Sequence, residues 1–154
     1  MGACFETPKI CAFHFTNAGV PLSEFVFDSR ISYNRVQAFR IFECACAGLN
    51  YLHMKKISYG NLSLDSIIVL NDFSVKFRNY GLSTFSNNER SDQKVHSHVC
   101  VRYLSPEKLI DHTCKRHEES DVYAIGLICF EIFSRKLCFE NENQMALGLQ
   151  VIFC

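Results

Sequence analysis

The residues of this chain best placed to do chemistry lie in segment 59–66, which reads Tyr-Gly-Asn-Leu-Ser-Leu-Asp-Ser. Asn61 and Ser66 stand five residues apart and carry an amide and a hydroxyl. An amide is not a useful base near pH 7, and a serine hydroxyl is a weak ligand for Mg²⁺, which prefers carboxylate and phosphate oxygens. Asp65 is the only carboxylate in the segment. The polar groups of this segment are therefore poorly suited to general-base catalysis and to binding Mg²⁺.

Three further motifs follow in order along the chain: Asn79-Tyr80-Gly81, Ser105-Pro106-Glu107 and Ser120-Asp121-Val122. Together with segment 59–66 they resemble the landmarks of a protein kinase domain. The resemblance aligns them with the catalytic loop H-R-D-L-x-x-x-N, with D-F-G, with A-P-E and with the start of the long buried helix of the C-lobe. Four motifs in the correct order, at plausible separations, argue strongly against a chance match.

The resemblance implies that the chemistry has been lost. Asn61 stands where the base belongs, Ser63 where a lysine would contact the transferring phosphate, and Asn79 where the main magnesium carboxylate belongs. It also implies that Asp65 points away from the site and does not rescue it. The positions that depart from an active kinase or hold only a structural remnant are Tyr59, Gly60, Asn61, Ser63, Ser66, Asn79, Tyr80 and Gly81. We therefore expect no phosphotransfer, no cofactor and no metal site.

Two acidic residues are expected to be structural. The resemblance implies that Asp121 holds the backbone of the catalytic-loop segment from below; capping a helix that begins near Val122 is an alternative. Glu107 matches a kinase residue that pairs with an arginine near the C-terminal end of the domain. Three arginines are candidates to replace that partner, or Glu107 is solvated: Arg102, Arg116 and Arg135.

A narrower resemblance is to the mixed lineage kinase domain-like pseudokinases. Those proteins also depart from active kinases at the catalytic loop, which reads H-G-K, and their Y-L-S-P-x-E-L stretch is similar to Tyr103–Leu109. The segments Thr7–Phe15 and Leu22–Phe25 also look similar. The resemblance implies a short viral, poxvirus-like homologue.

Composition excludes several other classes of protein. Sixteen basic and sixteen acidic residues cancel, so neither a nucleic-acid surface nor a polybasic membrane anchor is indicated. The nine cysteines form no C-x-x-C pair and are interpreted as small hydrophobic residues in a reducing compartment. His96 and His98 could bind a metal in a predicted loop, but solvated loop residues are the favoured interpretation. We expect no nucleic-acid partner, no membrane insertion and a location in the host cytoplasm.

Periodicity predicts the elements that position the motifs. A strand over Lys9–Phe15 precedes a short helix over Pro21–Phe27, and a hairpin joins the strands 67–70 and 74–77. Ser32 is a plausible N-cap for a long helix Tyr33–His53. Its predicted apolar stripe comprises Val36, Phe39, Phe42, Cys46, Leu49 and Leu52. A second helix, Val122–Phe133, is apolar nearly all round, and we expect the two helices to pack together.

These elements predict an α+β, mainly helical fold, resembling a protein-kinase C-lobe without an N-lobe. The expected organisation is a residual N-lobe strand and hinge (1–19), a pseudokinase C-lobe (20–140) and a truncated C-terminal helix (141–154).

The favoured function is a binding decoy. The narrower resemblance implies that the partner is a host protein kinase, the receptor-interacting kinase of necroptosis, and that the chain sequesters it and blocks cell-death signalling. The candidate partner-binding residues are Thr84, Ser86, Ser91, Ser97, Asp111, His112, Lys115 and Arg116. Three alternatives stay open: an allosteric regulator or scaffold for another host kinase, a weak nucleotide binder with vestigial transfer activity, and a decayed product that folds poorly.

Overall fold

A computed structural model describes residues 19–78, 101–110 and 118–140, together with the backbone of residues 2–7 and 10–14. The strands are β1 (Gly2–Thr7), β2 (Ile10–His14), β3 (Val20–Pro21), β4 (Ile67–Val69) and β5 (Val75–Phe77). The helices are α1 (Leu22–Phe27), α2 (Arg35–Met54), α3 (Pro106–Ile110) and α4 (Glu118–Ser134). Short 3₁₀ turns cover Leu64–Ser66 and Val101–Tyr103. The mainly helical α+β class predicted from the sequence is confirmed for these residues.

Two small antiparallel sheets accompany the helices. The predicted hairpin is confirmed, since β4 pairs with β5 around the turn at 70–74, and β3 adds a third strand in the order β3-β4-β5. Pro21 is tolerated in β3 because an edge strand leaves one side without ladder hydrogen bonds. The sequence predicted one strand over Lys9–Phe15, whereas the backbone forms a hairpin in which β1 pairs with β2.

Helix α2 begins two residues later than predicted. Its N-cap is Asn34 and not Ser32: the Asn34 side chain accepts a hydrogen bond from the Gln37 amide at 2.9 Å, and the Gln37 side chain accepts one from the Asn34 amide at 2.8 Å. This reciprocal pair satisfies two amide donors, which Ser32 does not do. Tyr33 therefore lies outside the helix, and its hydroxyl donates to the Ile132 carbonyl at 2.8 Å.

The predicted packing of the two long helices is confirmed. Of the predicted stripe on α2, Phe42, Cys46, Leu49 and Leu52 lie in or against the core, whereas Val36 and Phe39 do not. Val36 and Phe39 are 77% and 60% exposed. The buried face is made by Ala38, Ile41, Ala45, Leu49 and Leu52. These residues belong to one hydrophobic core together with Ala124, Ile128 and Ile132 of α4.

Helix α4 starts at Glu118, four residues before the predicted start. Burial along it does not follow side-chain polarity, because Glu131 and Asp121 are 0% and 1% exposed while Phe130 and Phe133 are 51% and 47% exposed. The helix is therefore central, but its buried face carries two carboxylates. In the part of the chain that the structure describes, no helix is long and apolar enough to cross a membrane.

Candidate functional site

The backbone of the catalytic-loop segment is fastened to helix α4 by Asp121. One carboxylate oxygen of Asp121 accepts a hydrogen bond from the Tyr59 amide at 2.6 Å, and the other accepts one from the Gly60 amide at 2.7 Å. His53 Nε2, at the end of α2, lies 3.0 Å from the same carboxylate. Because α4 begins at Glu118, Asp121 lies in its first turn, so the alternative that it caps a helix starting near Val122 is wrong. The carboxylate instead ties three chain segments together.

Gly60 takes a backbone conformation that favours glycine. Its φ is 82°, in the left-handed region, where a side chain would be strained. This conformation of Gly60 was not predicted from the sequence, although glycine is the residue that adopts it most readily.

The hydroxyls of the loop are engaged in local structure. Ser66 Oγ donates to the Ser63 carbonyl at 2.6 Å and accepts from the Ser63 amide at 2.8 Å. Ser66 is 8% exposed. Its hydroxyl, at the position of the magnesium-binding amide, therefore closes the 3₁₀ turn that leads into β4.

Tyr59 remains an aromatic core residue. It is 4% exposed, its ring lies 5.6 Å from that of Phe77, and its hydroxyl donates to the Arg78 carbonyl. Burial raises the pKa of its phenol, so this hydroxyl stays protonated near neutral pH. Tyr59 thus joins the loop to the end of β5 by packing and by one hydrogen bond.

Asp65 is engaged with helix α1. Its carboxylate accepts a hydrogen bond from the Ser23 hydroxyl, and its backbone carbonyl accepts one from Arg78 Nε at 2.6 Å. The one carboxylate of the loop therefore bonds to α1, while Asn61 borders a different surface, the shallow cleft on the α3–α4 side.

Among the described residues, Glu107 is hydrogen-bonded to serine and not to an arginine. Ser120 Oγ donates to its carboxylate at 3.0 Å, and the Ser105 and Ser120 hydroxyls lie 2.8 Å apart. A hydrogen bond from the Ser105 side chain holds the pKa of Glu107 below its usual value. Arg135 does not serve as its partner, because its guanidinium donates to the Ile31 carbonyl and lies 4.1 Å from the Tyr33 ring.

A second buried carboxylate was missed by the sequence reasoning. Glu131 Oε2 accepts a hydrogen bond from the Tyr103 hydroxyl at 2.7 Å, and Oε1 accepts one from the Cys138 amide at 2.9 Å. Burial raises the pKa of Glu131, and the hydrogen bonds from the Cys138 amide and the Tyr103 hydroxyl, together with the nearby charge of Arg102, partly offset that effect. The only sequence signal was an acid inside an otherwise apolar run. Arg102 is thus placed beside Glu131 and not with Glu107.

Between the loop and α4 lies a shallow cleft with an empty volume of about 220 Å³, including space open to solvent. It is lined by Gly60, Asn61, Leu62, Tyr103, Leu104, Lys108, Ser120, Asp121 and Ala124. Lys108 Nζ lies 3.5 Å from the Gly60 carbonyl. Across residues 19–78, 101–110 and 118–140, no three His, Cys, Asp or Glu side chains are grouped as a metal site would require. The cleft is lined by the Asn61 amide and the Lys108 side chain, while the Asp121 carboxylate that also lines it is bonded to the Tyr59 and Gly60 amides and lies beside His53.

The remaining sequence-predicted residues lie outside the described residues. They are the D-F-G-like positions Asn79, Tyr80 and Gly81, and all the candidate partner-binding residues: Thr84, Ser86, Ser91, Ser97, Asp111, His112, Lys115 and Arg116. The same holds for Arg116 as a partner of Glu107 and for residues 141–154.

Comparison with known proteins gives relatives that are kinases or contain related domains. The chain is 30% identical to human receptor-interacting serine/threonine-protein kinase 1 over 118 residues, which cover 67% of this chain and 18% of that protein. It is 25% identical to dual specificity protein kinase pyk3 of Dictyostelium discoideum over 153 residues, 99% of this chain and 11% of that kinase. It is 24% identical to receptor-type guanylate cyclase gcy-7 of Caenorhabditis elegans over 155 residues, 99% of this chain and 13% of the cyclase. The chain thus spans less than a fifth of the length of these relatives.

The family model for protein tyrosine and serine/threonine kinases matches residues 1–146, nearly the whole chain. The match includes the loop fastened by Asp121, the Ser105-Pro106-Glu107 motif and helix α4. The chain therefore belongs to the protein tyrosine and serine/threonine kinase family.

Proposed function

We propose that this chain is a catalytically inactive member of the kinase family that acts as a binding decoy for a receptor-interacting protein kinase. It occupies that kinase and blocks the cell-death signalling that depends on it. On this proposal the chain works in the host cytoplasm as a short viral homologue of the mixed lineage kinase domain-like pseudokinases.

One observation carries the first half of the proposal. The Asp121 carboxylate holds the backbone of the catalytic-loop segment through the Tyr59 and Gly60 amides, while Asn61 and Ser63 stand at the reactive positions of that loop. Neither an amide nor a hydroxyl can replace the base or the lysine of a working kinase. A loop that is firmly held yet lacks its reactive groups suits a scaffold for binding better than an enzyme.

The choice of partner rests on similarity. The 30% identity to a receptor-interacting kinase, together with the resemblance to a necroptosis pseudokinase, makes that kinase class the first to test. The proposed contact residues are the hydroxyls of Thr84, Ser86, Ser91 and Ser97 and the polar side chains of segment 111–116. We propose that the chain mimics a substrate that is bound and not released, so that phosphorylation of those hydroxyls is dispensable.

Catalysis is tested first, by incubating the purified chain with ATP, Mg²⁺ and a generic protein substrate and by following its melting temperature. We expect no transferred phosphate and no Mg²⁺-dependent rise in melting temperature. Phosphotransfer that disappears on replacing Asn61 or Asp65 with Ala would overturn the assignment as inactive.

Binding is tested with the purified kinase domain of human receptor-interacting serine/threonine-protein kinase 1 on a sensor surface. We expect binding that survives replacement of the four hydroxyls by Ala and that is lost on replacement of Asp111, His112, Lys115 and Arg116 by Ala. A matched control replaces four polar residues on the outer face of α2: Arg35, Arg40, Glu43 and Asn50. Circular dichroism of each variant separates a lost contact from a lost fold.

The result also discriminates between the decoy and its main alternative. Binding to several unrelated kinase domains with similar strength would favour an allosteric regulator or scaffold for another kinase. Loss of binding in the four-hydroxyl variant would remove the substrate-mimic idea.

A further inference from the structure

Two cysteines face each other across the seam between helices α2 and α4. The register of the seam is given by two contacts: the Phe42 and Phe133 rings lie 6.4 Å apart, and His53 Nε2 lies 3.0 Å from Asp121. One contact pairs an early residue of α2 with a late residue of α4, and the other pairs the opposite ends, so the helices run antiparallel. Moving one helical turn inward from the phenylalanine pair, on both helices at once, reaches Cys46 and Cys129.

The electrostatics of the thiols agree with this register. Burial, and after it the electrostatic effect of the nearby Cys129, raises the pKa of the Cys46 thiol. Burial also raises the pKa of Cys129. Both thiols are free and half-buried, and near neutral pH both are protonated.

The space around the pair suits a covalent link. Packed helices lie about 8–10 Å apart axis to axis, and subtracting a Cα radius of about 2.3 Å for each leaves facing Cα atoms near the range that a disulfide needs. A Cβ built on Gly126, one turn before Cys129, would meet nothing within 4 Å, so a small reagent can reach this side of the seam. Among the described residues no third His, Cys, Asp or Glu joins the two thiols, which argues for a disulfide over a metal site.

We propose that Cys46 and Cys129 form a reversible disulfide that links α2 to α4 when the protein meets a low-molecular-weight disulfide such as glutathione disulfide. One cysteine thiolate attacks a sulfur of the reagent, forms a mixed disulfide and releases one small thiolate. The second cysteine thiolate then attacks the protein-bound sulfur and releases the other. Two protein thiols are oxidised, one small disulfide is reduced to two thiols, and the two protons lost by the cysteines go to the released thiolates.

The link would reinforce the support of the catalytic-loop segment. Helix α2 contributes His53 and α4 contributes Asp121 to the carboxylate that holds the Tyr59 and Gly60 amides. A disulfide two turns away from that contact prevents the helices from separating. This inference does not depend on the proposed decoy role.

Cys44 supplies an internal control. It lies two residues before Cys46 on the same helix, and therefore on a different side of it. Gly48, one turn after Cys44, lies against Phe77 of β5, since a Cβ built there would be 2.6 Å from that ring. Cys44 thus faces the sheet side of α2 and not the seam with α4.

The experiment oxidises the folded full chain with glutathione disulfide at pH 8.5, blocks the remaining thiols, and digests the protein with trypsin. The expected product joins peptide 41–55 to peptide 117–135, in which Cys129 is the only cysteine. Tandem mass spectrometry then locates the link at Cys46 or at Cys44. We expect Cys46, loss of the product after reduction, and a melting temperature roughly 5–10 °C higher in the oxidised protein.

Serine variants of the three cysteines test independently whether the disulfide joins Cys46 and Cys129. Cys44→Ser should leave the linked product and the gain in melting temperature unchanged, whereas Cys46→Ser or Cys129→Ser should abolish both. Absence of the linked peptide from the oxidised wild-type chain, or a link through Cys44, would overturn the proposal even if a variant failed to fold.

Discussion

Helix α4 carries two buried carboxylates, and they differ in what they hold. Near its start, Asp121 accepts from two backbone amides and lies beside His53. Near its end, Glu131 accepts from one amide, that of Cys138, and from the Tyr103 hydroxyl. Both carboxylates are almost fully inaccessible to solvent. The first fastens the loop that resembles a catalytic loop, and the second fastens the segment that precedes the Ser105-Pro106-Glu107 motif.

The difference lies in how adaptable the partners are. A backbone amide can only donate, so both oxygens of Asp121 must accept. A hydroxyl can donate or accept a hydrogen bond. If Glu131 Oε2 is replaced by an NH₂ group, the Tyr103 hydroxyl can accept from that group instead of donating to an oxygen. Asp121 is therefore expected to be irreplaceable, while Glu131 can be exchanged for its amide.

The largest effect is expected for Asp121→Asn. The amide keeps one acceptor but turns an NH₂ group toward a backbone N–H, which leaves a buried donor unsatisfied and creates a repulsive contact. We expect the free energy of unfolding to fall by about 3–5 kcal/mol, measured by urea denaturation. A loss below about 1 kcal/mol would mean that the loop does not depend on this carboxylate.

Two substitutions at Glu131 distinguish the effect of losing the side-chain volume from the effect of losing its charge. Glu131→Ala removes both acceptors and leaves a cavity, so we expect a loss of about 2–4 kcal/mol. Glu131→Gln should cost about 1 kcal/mol or less, because its carbonyl can accept from the Cys138 amide while its NH₂ donates to the Tyr103 hydroxyl. Denaturation of the two variants side by side measures this, and equal losses would contradict the contrast with Asp121.

The pH dependence of stability should depend on Glu131. Burial raises its folded-state pKa above the unfolded value near 4.5, so the folded state binds its proton more tightly. The stabilisation that protonated Glu131 gives to the folded state is fully present below pH 4.5. It is lost as pH rises through the folded-state pKa. We expect the wild-type chain to lose stability relative to Glu131→Gln as pH increases from 4 to 7, in denaturation curves taken at each pH.

A difference between wild type and Glu131→Gln that stays flat over this range would show that burial does not control this carboxyl. The Glu107→Gln variant provides a control of opposite sign. A hydrogen bond from Ser105 lowers the Glu107 pKa in the folded state. The stabilisation that ionised Glu107 gives to the folded state is therefore present above pH 4.5 and is lost as pH falls through the folded-state pKa.

The smallest effect concerns the start of helix α2, which carries His53 to the Asp121 end of α4. Asn34→Ala removes the N-cap bond to the Gln37 amide and should cost about 1 kcal/mol. Ser32→Ala, at the cap predicted from the sequence, should change stability by less than about 0.5 kcal/mol. Thermal denaturation of both variants measures the difference, and the reverse order would restore Ser32 as the cap.

Much of the fold was predictable because local patterns specify it. The long helices, the hairpin of β4 with β5, and the short helix after Pro21 follow from periodicity and from turn residues. On α2, Leu49 and Leu52 are buried as predicted, but the exposure of Val36 and Phe39 was not predicted, because that helix carries apolar residues on several sides. Ala38, Ile41 and Ala45 complete the buried face.

The candidate site divides in the same way. Asn61, Ser63 and Ser66 can be identified from the sequence through the resemblance to a kinase catalytic loop. The sequence does not show that the Ser66 hydroxyl closes a turn, that Asp65 bonds to Ser23, or that Glu131 lies between Tyr103 and Cys138. These contacts join residues whose positions depend on the turns and helices between them.

The family, the mainly helical class and the residue types of the loop can thus be read from the chain, because motif order, periodicity and residue type are local properties. Which groups are buried and what they bind depends on the folded structure. On α4 the polar side chain of Glu131 is buried, whereas the apolar side chain of Phe130 is exposed. The physical reason is that a buried carboxylate is stable only where donors from distant segments converge on it, and that convergence is a property of the folded chain.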